Sequence, residues 1–215
     1  DGTSIETLQI ETARKTLAMA QAIAAMQMEI KMFLLIAGVV LWIAAHGFKR
    51  LAPEWHSAMG EKGKAPIAIG IVLGLVLMII GYRQATFIDI WSPPEFLFYI
   101  NNLIMDVAVA VFAMAHTKGR MRGRIRHPML TSVKMWAAAH LLVSGDLASI
   151  ILFGGMLSWS VWTVITINRA EDWQRPERGD DKRDWRFLAV TVVTFAVMVG
   201  VHLWLGVVPF GVWGA

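Results

Sequence analysis

With six histidines and no cysteine, this chain relies mainly on imidazole for any transition-metal chemistry. The missing thiols exclude disulfides, thiolate metal centres and cysteine nucleophiles. Two of the histidines fall thirteen residues apart in the stretch IRHPMLTSVKMWAAAHL: His127 beside a proline in a basic patch, and His140 deep in apolar sequence. An ionisable side chain at membrane depth is costly and usually serves a function. A neutral imidazole there must hydrogen-bond or ligate, and two facing imidazoles from neighbouring helices are the axial ligands of a b-type haem held in a helix bundle.

Those histidines need a membrane around them, and the composition supplies one. Of 215 residues, 56% are hydrophobic and only 17% charged, well below the roughly 25% of soluble domains. The apolar residues gather in long blocks separated by charged loops, which points to one multi-span bundle. A net charge of +4 would suit nucleic acid, but the basic residues sit in the loops between apolar blocks, where membrane topology explains them and no nucleic-acid partner is needed.

The expected fold is an all-α polytopic membrane bundle of about six transmembrane helices plus an N-terminal amphipathic helix. The spans fall at about 32–48, 65–82, 96–116, 128–143, 147–167 and 187–208, each close to the length that crosses a hydrocarbon core of roughly 30 Å. Pro128 suits the first turn of the fourth, and Pro209 with Gly211 ends the sixth. Trp91-Ser92-Pro93-Pro94 and Ser144-Gly145-Asp146 read as turns, with Asp146 capping the fifth helix. Asn101, Asn102 and Asp106 inside the third span must face protein or water rather than lipid. Gly70 and Gly74 form a small-xxx-small pair whose use in a membrane helix is packing. The basic segment from Lys118 to Arg126 carries no acid and is expected on the cytoplasmic side of a bacterial inner membrane. By alternation both chain ends are then expected in the periplasm.

Residues 1–31 read as an amphipathic extension preceding the 32–215 membrane domain. Its apolar face suits the bilayer surface or docking onto other membrane-protein subunits.

Counting from the basic edge gives each histidine a height. His46, His116 and His127 lie near the cytoplasmic face, whereas His140 and His202 are fourteen and sixteen residues beyond Arg126 and Arg186, roughly 21 and 24 Å of helical rise. His140 with His202 is one candidate metal pair. His46 with His127 is another, with Arg126 and its basic neighbours available to hold haem propionates or another anion. The bland alternative for each is an interfacial side chain or a helix–helix hydrogen bond. His56, in a loop beside Trp55, is a surface residue. Most of the ten tryptophans belong to interfacial belts, while Trp136 and Trp159, mid-span, are candidates to line a cavity or to pack.

The block RHPMLTSVKMWAAAHLLVSGDLASIILFGG resembles the NnrU family of bacterial membrane proteins. The opening LLIAGVVLWIAAHGFKRLAP, then GYRQA, WSPP and the closing VHLWLGVVPF occur in the family's order, so the likeness covers about residues 32–210. It implies a link to nitrite and nitric oxide metabolism, and kinship with the plant 15-cis-zeta-carotene isomerase, a haem b membrane enzyme that isomerises a polyene double bond without net redox change. The isomerase's haem ligands map onto His46 and His140, and a cysteine proposed there as an alternative ligand maps onto Ala137. By residue counting, His46 and His140 lie near opposite faces. Arg126-His127-Pro128 is also similar to the RHP motif of isoprenylcysteine-type membrane methyltransferases, which use it to bind S-adenosylmethionine; the acid-and-base mixture at Arg169 to Arg186 offers no clear counterpart to the rest of their pocket. The third alternative is a non-catalytic subunit of a membrane complex.

Overall fold

In lipid a spanning segment must satisfy its backbone groups internally, and the apolar blocks do so as helices. The computed structural model describes residues 2–121 and 123–209, with side chains from residue 7 onward. Asp1, Arg122, Phe210 and the rest of the carboxyl end, Gly211 included, lie outside the described residues; the last helix, expected to run to Pro209, ends earlier, at Trp204, where Gly206 takes a positive φ of 78°. The helices are α1 (Gly2–Leu51), a short α2 (Pro53–Met59), α3 (Lys64–Gln84), α4 (Phe96–His116), α5 (Pro128–Val143), α6 (Leu147–Ala170) and α7 (Asp184–Trp204). Five are long and apolar enough to cross a membrane. At 16 residues, α5 rises only about 24 Å, the shortest of the six long helices. No strand forms among the described residues.

Ion pairs and hydrogen bonds fix which helix ends share a level. At one end Arg50 of α1 lies 3.8 Å from Glu171 beyond α6, Arg126 donates to the Glu171 carbonyl, and Arg120 pairs with Asp184 at the start of α7. This is the basic end. At the other, the chain after α3 lies along the α5–α6 turn: Ile90 and Trp91 donate backbone N–H groups to Gly145 O, and Leu147 donates to Ile88 O. The helices therefore alternate up and down as the loop charges imply.

The core lies where α1, α3, α5 and α6 meet, around Leu35, Val39, Met78, Ala137, Phe153 and Trp159. Glycine permits the closest approach: a Cβ on Gly38 of α1 would meet Met78 N at 2.6 Å, and one on Gly74 of α3 would meet Trp42 N at 2.9 Å. Both obstacles are backbone, so the two helices touch through glycine as small-residue membrane interfaces do. α7 stands at the edge, packed on α4 with no fully buried residue. The amphipathic extension is not a separate helix. α1 is continuous through residue 31, because IETARKTLAMAQAIAAMQMEIK contains neither glycine nor proline to break it. Packing, not backbone, marks the change: residues 7–27 are exposed throughout, and burial sets in at Leu35, Gly38 and Val39.

Candidate functional site

Asp146 organises the turn end. Its extended backbone and short carboxylate suit a helix N-cap. Oδ1 accepts from Ser149 N at 2.9 Å and Oδ2 from Ser149 Oγ at 2.5 Å, so the expected cap is present, and it is 6% exposed. Because the carboxylate accepts from both groups of Ser149, the serine hydroxyl has its one hydrogen directed at Asp146 and must accept from the next partner. That partner is Tyr82, whose hydroxyl donates to Ser149 Oγ at 2.9 Å. The chain Tyr82 to Ser149 to Asp146 ties α3 to α6 at the edge of a cavity.

The cavity, of about 450 Å³, lies among α4, α5, α6 and α7, with Tyr82 of α3 at its edge. Its walls are mainly apolar, among them Phe98, Met105, Trp136, Phe153 and Phe195, with a few polar groups: Asn101, Asn102, Asp106, His140, Ser144 and His202. An apolar hollow with a small number of convergent polar groups is the usual form of a small-molecule site. The three polar residues of α4, which composition alone required to face protein or water, face this cavity. Trp136 lines it, as one of its two alternatives had it.

The two histidines expected near the turn end meet here. The rings of His140 and His202 have centroids 6.5 Å apart and planes 37° to one another. His140 also stacks on Phe153 at 4.6 Å. Each donates Nδ1–H to the carbonyl one turn back, His140 to Trp136 O at 2.9 Å and His202 to Met198 O at 2.8 Å. A carbonyl only accepts, so this bond fixes the tautomer and leaves both Nε2 lone pairs free. That is how a ligating histidine is normally held, with the far nitrogen anchored and the near one available.

His46 makes the same bond, donating from Nδ1 to Trp42 O at 3.1 Å, but its surroundings differ. It lies between two indoles, with centroids 4.1 Å from Trp42 and 5.0 Å from Trp159, and Trp159 is only 7% exposed. The Nε1 atoms of both tryptophans are buried without a hydrogen-bond partner. Trp159 is thus a packing residue.

The rings of His46 and His140 approach closer than residue counting suggests. His46 sits at the level of Trp159 and His140 at that of Phe153, six residues along α6, or about 9 Å of rise. Helical side chains lean toward their own N-terminus. α1 and α5 run in opposite directions, so the ring of His46 leans away from the basic end and that of His140 away from the turn end. Counting along the backbone ignores that lean.

His46 and His127 are not brought together. His127 pairs through Nε2 with Asn168 Oδ1 at 2.9 Å, nine residues along α6 from Trp159, about 14 Å away. Arg126 is held on the Glu171 carbonyl at 2.5 Å. Both residues of the RHP motif therefore tie the start of α5 to the end of α6, at the opposite end from the cavity. The rings of His116 and His56 pack against Phe112 and Phe48, with centroids 4.7 and 6.4 Å apart.

The contributions of Tyr82, Ser149 and Phe153 escaped sequence reasoning. Tyrosine occurs only twice in the chain, and a polar ring closing an apolar span was a usable signal for Tyr82; Phe153 and Ser149 looked like any other residues of an apolar helix. No curated protein and no solved structure matches the chain. The profile of the family described as NnrU protein matches residues 34–209, and the chain belongs to that family.

Proposed function

We propose that this chain is a haem b protein of the membrane whose iron is held by His140 and His202. The single observation that carries the reading is the pairing of two tautomer-fixed imidazoles at one cavity. The two rings are 6.5 Å apart between centroids, and each has its Nδ1 hydrogen engaged by a carbonyl, so His140 and His202 are the residues that would hold the group through Nε2. Two histidines suffice for haem, whose remaining four donors belong to the macrocycle. Among the described residues no cluster of three protein donors competes as a metal site. When bound, haem would supply a Lewis-acidic, redox-active iron.

The chain's own residues then do the rest. Phe153 and Trp136 hold the His140 ring in place, the Nδ1 bonds keep both ligands basic, and the apolar walls exclude water. The cavity lining includes Leu205, Val207 and Val208, which follow α7 and are 40%, 42% and 50% exposed. The mainly apolar lining favours isomerase-type chemistry on a polyene over a nitrogen-oxide role. An S-adenosylmethionine site at Arg126 and His127 has less support, because both side chains are engaged with the end of α6.

The basic end faces the cytoplasm of a bacterial inner membrane under this proposal, by the positive-inside rule. The test is the absorption spectrum of the purified protein, oxidised and dithionite-reduced. A Soret band that shifts on reduction is expected, and its absence from haem-replete preparations would sink the reading.

A further inference from the structure

Two charged side chains inside the apolar helices have no partner in the chain. Asp106 is the eleventh of the 21 residues of α4, and Lys134 the seventh of the 16 residues of α5. Asp106 is exposed and Lys134 half-buried. Among the described residues neither makes a hydrogen bond or an ion pair. Charge at membrane depth is costly and is normally paired.

The register of α4 against α5 gives the two a common depth. Ser132 Oγ of α5 donates to Ala108 O of α4 at 2.9 Å. The helices run antiparallel, so two residues further toward the turn end α4 has reached Asp106 and α5 has reached Lys134. They do not face each other within the chain. Two residues turn a helix by about 200°, so Asp106 lies on the side of α4 away from α5 and Lys134 on the side of α5 away from α4. Asp106 shares its exposed side with Phe96, Tyr99 and Leu103, which are 59%, 62% and 65% exposed. The positions 96, 99, 103 and 106 alternate steps of three and four residues, the spacing of a seam along which one helix packs on another.

We infer that this seam is covered by a second copy of the chain, with Asp106 of one copy paired to Lys134 of the next. Copies inserted with one topology keep every residue at one depth, so an acid and a base level with each other within the chain are also level between chains. Their charges are complementary, whereas α4 packed on α4 of another copy would set Asp106 against itself. Because the two groups lie on opposite sides of the α4–α5 pair, the contact is head to tail, and its smallest closed form is a ring of three or more copies. The inference uses neither histidine of the cavity and stands whether or not haem binds.

The test is energy transfer between donor-labelled and acceptor-labelled copies of the full chain in phosphatidylcholine vesicles, followed as lipid dilutes the protein. Asp106→Lys and Lys134→Asp, each alone, should weaken self-association at least about tenfold, the weight of one polar pair between membrane helices. Mixing the two variants should restore it, since each then supplies the charge that the other lacks, and the recovery shows that both fold. Both substitutions placed together in one chain should likewise associate as the unmodified chain does. Absence of transfer in the unmodified chain overturns the inference. So does transfer that either single variant leaves unchanged, which would put the contact on another surface or leave Lys134 to a lipid phosphate, and so does failure of both the mixture and the double variant to recover.

Discussion

His46 and His140 start from the same local structure and end in different places. Each is a helical histidine that gives Nδ1–H to the carbonyl of a tryptophan four residues earlier, so their tautomers and their lean along the helix are alike. One then packs against Trp42 and Trp159, while the other lines a cavity beside a second imidazole. Local hydrogen bonding prepares a histidine to ligate. Whether a partner stands on the far side of the free nitrogen is settled by which helix packs there.

The largest effect that could break this contrast is on cofactor content. His140→Ala or His202→Ala should each abolish the Soret band, whereas His46→Ala should leave it intact and lower only thermal stability. Loss of the band in His46→Ala and its survival in His202→Ala would instead select the ligand set implied by the family resemblance. Next comes the packing of the closed neighbourhood. Trp159→Ala should cost about 3 to 5 kcal/mol, as truncations of buried aromatic rings do. Trp159→Phe, which keeps a ring and removes an indole N–H that has no partner, should cost under about 1.5 kcal/mol. Detergent-phase thermal or denaturant unfolding measures both.

The turn end offers a medium effect. Asp146→Ala removes an N-cap and leaves Ser149 without its acceptor, for an expected loss of about 1 to 3 kcal/mol. Since Tyr82 then loses its fixed orientation beside the cavity, the same variant should also disturb the Soret maximum, which Trp159→Phe should not. The smallest change is expected at the basic end: Asn168→Ala removes one exposed hydrogen bond to His127 and should cost under about 1 kcal/mol with no effect on haem content. A strong loss of haem there would show that His127, and not the cavity pair, holds the iron.

Part of the site was legible in the sequence. The shared level of His140 and His202 was legible, because they lie at similar distances from their basic edges. The cavity's α4 wall was legible too, since two asparagines and an aspartate in an apolar span cannot face lipid. Tyr82 was not. Its hydroxyl matters only because Ser149 stands opposite it, 67 residues away in sequence, and no periodicity encodes that contact. The continuity of α1 was equally hidden, since an amphipathic run and an apolar run with no breaker between them form one helix and differ only in what lies alongside.

Taken alone, the sequence determined the membrane, the helices, their alternation and the ends at which charge collects, because each follows from local hydropathy and from the cost of burying charge or bare backbone in hydrocarbon. Tertiary structure alone decided which imidazoles meet, which indoles enclose the third and where the hollow opens. Those outcomes depend on the rotation of each helix about its own axis, which for α1, α3 and α6 is constrained by the close contact at Gly38 and Gly74 and by the cap and hydrogen bonds around Asp146. A nearly uniform apolar helix carries little record of its own rotation, so the pairing appears only when the neighbours are in place.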